Sequence, residues 1–270
     1  MNLWNVREFL PAGLRNAAGA MGWGVSYAFR QLNAALLLSR WPENIKRLRA
    51  FHNLHLGQRC FILGNGPSLR QTDLRLLRKE FTFGLNRVYL LFSELGFTTT
   101  YLVAINSLVI RQCAHEIASL DIPHFVTWNL RKLFEKDTHA LFVDTRFTDA
   151  NGFSPDPTRR VFEGYTVTYV ALQLAYFMGF SQVILVGVDH NFKTKGTPNR
   201  VVVSEGEDPN HFSTAYFGKG FRWQLPDLDN SERAYLLARQ VYEKSGRSIV
   251  DATVGGKLNV FQKVDYLSLF

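Results

Sequence analysis

Residues 59–68 read Arg59-Cys60-Phe61-Ile62-Leu63-Gly64-Asn65-Gly66-Pro67-Ser68. A short apolar run that breaks at once into glycine, asparagine and proline has the pattern of a buried strand entering a tight loop. Leu69, Leu74 and Leu77 follow at helical spacing. Gly64 and Gly66 suit close approach of backbone N–H groups to a phosphate, Pro67 suits a first helical position, and Ser68 offers a hydroxyl. The expected ligand is therefore the phosphate-bearing half of a nucleotide.

The same alternation continues outward. Phe81–Leu85 predicts a second strand ending at Asn86, and Val88–Leu95 a short helix. Thr100–Ile105 predicts a third strand ending at Asn106, followed by a helix over Leu108–Ala118. His124–Trp128 and Leu141–Thr145 predict two more strands. After a loop over 146–162 come a helix, Thr166–Met178, and a β-branched strand, Val183–Val186, that runs into Gly187-Val188-Asp189-His190. Residues 191–227 are polar, rich in Gly and Pro, and long enough to be a functional loop or lid. A helix over Ser231–Lys244, a strand over Ser248–Asp251 and a tail over 255–270 complete the chain. Strands alternating with helices imply right-handed crossovers and a mostly parallel sheet with helices on both faces, a Rossmann-like α/β fold. Residues 51–270 are expected to form this domain, with 191–227 as a lid-like insertion.

The chain has 270 residues, 46% hydrophobic and 14% aromatic, 22 of them Phe, which excludes disordered and fibrous classes. Its net charge of +8 is uneven. Residues 1–50 hold seven Arg or Lys against two Glu, a net of +5, and the other 220 residues carry +3. Trp4, Phe9, Leu10, Leu14, Trp23 and Tyr27 lie between those arginines. This composition predicts an amphipathic helical extension that contacts an anionic membrane surface, or else packs on the domain or on a second copy in a homo-oligomer. Nucleic acid is the weaker anionic partner. Cys60 and Cys113 make no disulfide framework, and a reducing cytoplasm is the default compartment. No cleavable signal and no spanning apolar run are apparent. No Cys or His cluster has metal-site spacing, so no metal site is expected.

Asn65, Asn86, Asn106 and Asp189 all terminate strands. The carboxyl ends of a parallel sheet open on one crevice, where ligands bind. Asparagine supplies donor and acceptor without charge, although each could equally cap a helix or turn. Gly164-Tyr165-Thr166-Val167-Thr168 opens a helix, and Thr166, Val167 and Thr168 form a second anion or sugar site, or an ordinary N-cap. In the 191–227 segment, Tyr216, Lys219 and Arg222 are placed to neutralise a leaving phosphate. His211, His190 and Asp189 are the candidate catalytic groups, with either histidine as general base and His211 preferred. The loop lacks the third glycine of a dinucleotide fingerprint and the Gly-Lys-Ser/Thr of a P-loop, which weakens hydride transfer and P-loop phosphoryl transfer.

Gly64-Asn65-Gly66-Pro67-Ser68-Leu69, then Asn86, Asn106, Thr166 and the Gly179-Phe180…Val186-Gly187-Val188-Asp189 strand, resemble the MptE-like Rossmann family, which includes archaeal 6-hydroxymethylpterin diphosphokinases and domains of flagellin-modification proteins. They also resemble the bacterial sialyltransferases of glycosyltransferase family 42. The likeness covers roughly residues 57–252. Asn210-His211-Phe212 and Tyr216-Phe217-Gly218-Lys219-Gly220 are similar to proteins encoded among capsule and lipopolysaccharide genes. The resemblance implies nucleotide contacts at Gly64, Asn65, Gly66, Ser68, Asn86, Asn106 and the Thr166–Thr168 turn. The sequence departs from the sialyltransferases in having Val167-Thr168 where they have Ser-Gly. It also lacks an obvious match to their two phosphate-binding tyrosines, and His211 falls a few residues early.

Three functions fit these features. One is a metal-independent glycosyltransferase using a nucleotide-activated sugar, CMP-linked in the sialyltransferase manner, with no cofactor. Its acceptor would be a surface polysaccharide or lipid-linked glycan at the inner face of the cytoplasmic membrane. A second is a diphosphokinase using ATP and Mg2+, for which Asp189 lacks a convincing second carboxylate. The third is a non-catalytic nucleotide- or glycan-binding module.

Overall fold

The structure, a computed structural model, describes residues 42–146 and 152–270, so the expectations for residues 1–41 and 147–151 lie outside it. The first element is helix α1 (Pro42–Arg49). Then come β1 (Arg59–Leu63), β2 (Phe81–Leu85), the short α2 (Phe92–Leu95), β3 (Tyr101–Ala104), α3 (Ser107–Ala118), β4 (His124–Thr127) and β5 (Ala140–Val143). Next are β6 (Thr145–Arg146), β7 (Val161–Phe162), α4 (Val167–Phe177), β8 (Gln182–Val186), β9 (Val201–Val203) and β10 (Arg222–Gln224). The chain ends with α5 (Leu228–Lys244), β11 (Ser248–Asp251) and β12 (Gln262–Lys263).

Eight strands form one sheet in the order β12-β11-β8-β1-β2-β3-β4-β5. Every pairing in it is parallel. Strands buried on both faces read as continuous apolar runs, which is why Cys60–Leu63 and Val183–Val186 carry no polar alternation. Helix α4 crosses β1, β2 and β3, and α5 packs on α4 and β11. Aromatic rings fill the amino-terminal side. The His55 ring stacks on Phe180 at 4.6 Å and its Nε2 meets the Tyr101 hydroxyl at 2.7 Å, while Phe83 and Tyr101 lie 5.0 Å apart. Cys60 and Cys113 are both buried and unbonded.

Residues 42–49, the last part of the expected amphipathic extension, dock on the sheet. The Asn44 amide donates to the Phe142 carbonyl and accepts from the Phe142 N–H, each at 2.9 Å. It occupies the hydrogen-bonding positions that a further strand would take beside β5, and so protects that edge. Gln112 on α3 does the same for Arg222 on β10, accepting at 2.9 Å and donating at 2.8 Å. No helix among the described residues is long and apolar enough to cross a membrane.

Two local expectations change. The helix expected after Ser68 is two 3-10 segments, Pro67–Gln71 and Leu74–Lys79. Thr72 donates its hydroxyl to Ser68 O, and Asp73 accepts from the Arg75 N–H. These short polar side chains compete with the helical pattern and break it. The expected tail contains β12, the eighth strand. Two exposed residues give no apolar signal, and the strand is held by the Lys263 ammonium on the buried Asp251 at 2.6 Å.

Strand order reverses between β1 and β8, so the loops after these two strands meet at the switch point. The Gly64 N–H donates to Val186 O at 2.8 Å and the Gly66 N–H to Gly187 O at 2.9 Å. A Cβ on Gly64 would lie 2.2 Å from Gly187 O, and one on Gly66 would lie 1.7 Å from Asp189 Oδ2. Asp189 in turn accepts from the Ser68 N–H at 3.1 Å and from the Ser68 hydroxyl at 2.6 Å. Burial raises the Asp189 pKa, and the Ser68 hydrogen bonds pull against it.

This seam makes two predictions. Gly66→Ala should cost about 1–3 kcal/mol, as overpacking does, and most of that cost should disappear in an Asp189→Gly background. Equal costs in both backgrounds, measured by denaturant unfolding, would contradict the contact. The second concerns pH. Because its folded pKa is raised, Asp189 binds its proton more tightly folded than unfolded. Its contribution to stability is full below the ordinary carboxylate range and is lost as pH rises through the folded value. Asp189→Asn is therefore expected to melt above wild type at neutral pH, the gap narrowing as pH falls through the raised folded value and closing by the ordinary carboxylate range. A gap independent of pH would contradict it.

Candidate functional site

The crevice floor is set by β1 and β2, whose pairing of Leu63 with Gly84 leaves Asn65 and Asn86 just beyond the strand ends at the same level. Asn86 sits at φ +48°, a left-handed conformation that asparagine tolerates better than most residues. The side-chain oxygens of Asn65 and Asn86 are shielded from solvent and have no hydrogen-bond partner among the described residues. An orphaned buried acceptor costs roughly 1–3 kcal/mol, so each calls for a partner. Asn106 differs: its oxygen accepts from the Leu108 and Val109 N–H groups and caps α3. The capping alternative describes Asn106 and does not describe Asn86.

Three of the loop's backbone donors are committed. Gly64, Gly66 and Ser68 spend their N–H groups, and Ser68 its hydroxyl, on Val186, Gly187 and Asp189. At Gly64, Gly66 and Ser68 the amides interlock two loops. Pro67 opens the short 3-10 turn.

Residues 191–227 fold onto this floor. The Phe212 N–H donates to Asn65 O at 2.9 Å, and Arg70 Nε donates to Phe212 O at 2.8 Å. His211 precedes that anchor. Its Nδ1 lies 2.7 Å from Asp208 Oδ2, and Asp208 also accepts from the Asn210 and Phe217 N–H groups. The imidazole stacks on Tyr216 at 4.0 Å with 10° between planes, and the Phe217 edge stands 4.8 Å away. A carboxylate at Nδ1 fixes the tautomer that leaves the Nε2 lone pair free, and Nε2 has no partner among the described residues.

Tyr216, expected to neutralise phosphate, is completely buried beneath this ring. Its hydroxyl accepts from the Arg87 N–H, and its carbonyl accepts from the Arg87 guanidinium. Burial pushes its pKa up, so it stays a neutral packing group. Lys219 and Arg222 are exposed on the same insertion.

His190 forms a second histidine–carboxylate pair, Nε2 to Glu232 Oε1 at 2.9 Å, on a backbone at φ +52°. Across from it, Thr166 caps α4 by accepting from the Thr168 N–H and meets the Tyr235 hydroxyl at 3.3 Å. The ordinary N-cap thus describes Thr166; Val167 is the first residue of α4 and Thr168 is buried. The structure brings Asn65, Ser68, Asp189 and His211 together through direct or adjacent contacts, while Asn106 is committed to α3.

Sequence reading did not single out Asp208, Arg87, Arg70 or Glu232. Asp208 stands three residues before His211, a spacing that could have suggested the pair. Glu232, 42 residues from His190, left no local signal. Among the described residues no three His, Cys, Asp or Glu side chains group as metal ligands.

The fold has a solved counterpart. MAf glycosyltransferase from Magnetospirillum magneticum AMB-1 superposes with a TM-score of 0.52 at 15% identity, over 84% of this chain and 39% of that one. At that identity the likeness is one of fold, and this chain spans well under half of that enzyme's length. No curated protein matches. The family model described as 6-hydroxymethylpterin diphosphokinase MptE-like matches residues 37–195, which takes in the interlocked loops after β1 and β8 and stops short of Asp208 and His211. On that match, which covers more than half of its length, the chain belongs to the MptE-like family.

Proposed function

We propose that this protein is a glycosyltransferase that moves a sugar from a nucleotide-activated donor to a hydroxyl of a surface polysaccharide or lipid-linked glycan, with a CMP-linked donor in the sialyltransferase manner. The observation that carries the reading is the Asp208–His211 pair anchored to Asn65, with Nε2 unpartnered among the described residues. In the reaction, Nε2 accepts the proton of the acceptor hydroxyl as its oxygen bonds to the anomeric carbon. The bond from that carbon to the donor phosphate breaks, and its electron pair leaves on the phosphate oxygen. Asp208 holds the ring in orientation and stabilises the imidazolium. Exposed Lys219 and Arg222 supply positive charge to the departing nucleotide, so the scheme needs no metal and no cofactor.

The description of the family favours a second reading, ATP-dependent pyrophosphoryl transfer with Mg2+. That chemistry calls for carboxylates at the metal, whereas Asp189 is engaged by Ser68.

Nucleotide release from CMP-, UDP- and GDP-sugars, and from ATP with Mg2+, separates the two. Release from a nucleotide-sugar is expected, with His211→Ala lowering kcat roughly 10²–10⁴-fold and His190→Ala lowering it less. Turnover of ATP alone, or full activity of a folded His211→Ala, would overturn the proposal. No response to any of these would favour a non-catalytic binding module.

We further propose that residues 1–41, on the strength of their basic and aromatic composition, bring the protein to the anionic inner face of the cytoplasmic membrane. Truncation at residue 41 leaves α1 intact, where Asn44, Ile45 and Leu48 are buried. It is expected to abolish co-sedimentation with anionic liposomes, and unchanged sedimentation would contradict the role.

A further inference from the structure

The amino-terminal edge of the sheet, opposite the crevice, carries a turn that the site does not use. Between α1 and β1 the chain runs along residues 177–179. The N–H groups of Asn53, His55 and Gly57 donate to Phe177 O, Met178 O and Gly179 O at 2.9–3.1 Å. The His55 side chain is buried against Phe81, Tyr101 and Phe180. The alternate residues Leu54 and Leu56 therefore face outward, 54% and 69% exposed, on a backbone held by three hydrogen bonds. Leu267, also exposed, lies on the same side, since Leu269 O accepts from Arg59 at the start of β1.

Basic side chains frame the leucines. Arg49 ends α1, Lys79 precedes β2, Lys244 ends α5, and Arg247 stands just before β11. Each leads into the start of a parallel strand, which puts all four on this edge. The acids beside them are neutralised within the protein, Glu80 by Arg59 at 2.6 Å and Glu243 by Arg239 at 2.7 Å. Asp121 and Glu135 stand further along, before β4 and β5. Exposed leucines inside a cationic frame match an anionic bilayer surface, where apolar groups enter the acyl boundary and cations meet lipid phosphates. A second copy fits worse, because a two-fold contact would set this cationic edge against itself.

We propose that this edge, led by Leu54 and Leu56, is the face that the domain lays on an anionic membrane. The assignment rests on the membrane role proposed for residues 1–41 and adds an orientation to it. Stable peripheral anchoring takes two signals: residues 1–41 recruit the protein, and the edge, too small to hold it alone, sets its pose. The orientation constrains the substrate. Strands of four to five residues separate this edge from the crevice, roughly 13–17 Å at the usual rise, so the crevice opens away from the bilayer. The acceptor is then the outer end of a glycan already several sugars long, and the sugar next to the lipid is out of reach.

The test uses the full chain and phosphatidylcholine liposomes with and without phosphatidylserine. Leu54→Glu with Leu56→Glu is expected to lower partitioning onto the phosphatidylserine liposomes about tenfold or more. Lys79→Gln with Lys244→Gln should lower it by about tenfold as well. An environment-sensitive dye on Leu56→Cys should shift to the blue on binding, and the same dye on Lys219→Cys, across the sheet, should not. The native Cys60 and Cys113 are buried, which leaves the introduced thiol as the one that reacts. Undiminished binding of either double variant, a blue shift at 219 in place of 56, or no binding of the full chain to anionic liposomes would each overturn the proposal. Self-association without lipid that Leu54→Glu with Leu56→Glu abolishes would assign the edge to a second copy and overturn it too. Binding that is lost on truncation at residue 41 yet indifferent to the edge variants would remove the edge and leave the role of residues 1–41 standing.

Discussion

The interlock between the loops after β1 and β8 is the constraint on which the site depends. Two parallel strands can be neighbours at a switch point only if the chains leaving them do not collide. Here they pass at distances that no Cβ could share, 2.2 Å from Gly64 to the Gly187 carbonyl and 1.7 Å from Gly66 to the Asp189 carboxylate. The N–H groups of both glycines close the gap by bonding across it, and Ser68 fastens Asp189 from the other side. The seam fixes where Asn65 emerges. Asn65 O then receives Phe212, and Phe212 brings His211 with it. The positions of the floor and of the dyad thus trace back to one contact between glycines.

The 191–227 segment gains order from this anchoring and from its own aromatic packing. Tyr216, Phe217 and Trp223 surround the His211 ring, and Arg87 grips the Tyr216 carbonyl from the end of β2. A buried Asp208 with three N–H donors is well paired for a charge out of water. These interactions give the imidazole a fixed orientation without a metal or a disulfide.

Much of the fold was legible in the sequence because buried parallel strands leave a strong mark. Cys60–Leu63, Phe81–Leu85 and Val183–Val186 announce themselves as apolar runs ending in Gly or Asn. The two-residue strand at Gln262–Lys263 had no such mark, since a salt bridge rather than apolar burial holds it. Asn44 and Gln112 act as substitute strand edges, a role invisible without the partner backbone. At the site, residue types were readable but their commitments were not. Asn65, Asn86 and Asn106 look equivalent as strand-terminal amides, yet one caps a helix and two keep buried oxygens with no partner among the described residues. Gly64, Gly66 and Ser68 look like a phosphate cradle until their N–H groups are followed to acceptors on the loop after β8. Hydrogen-bond bookkeeping of that kind depends on a strand more than 100 residues away.

The most direct measurement is the ¹⁵N spectrum of histidine-labelled protein, with His211 assigned by substitution. Asp208 at Nδ1 requires the proton on that nitrogen, and the role of base requires an Nε2 whose resonance moves when a nucleotide-sugar and an acceptor occupy the crevice. A proton resident on Nε2 at the working pH, or a resonance indifferent to both substrates, would contradict the placement of His211 as the base of this site.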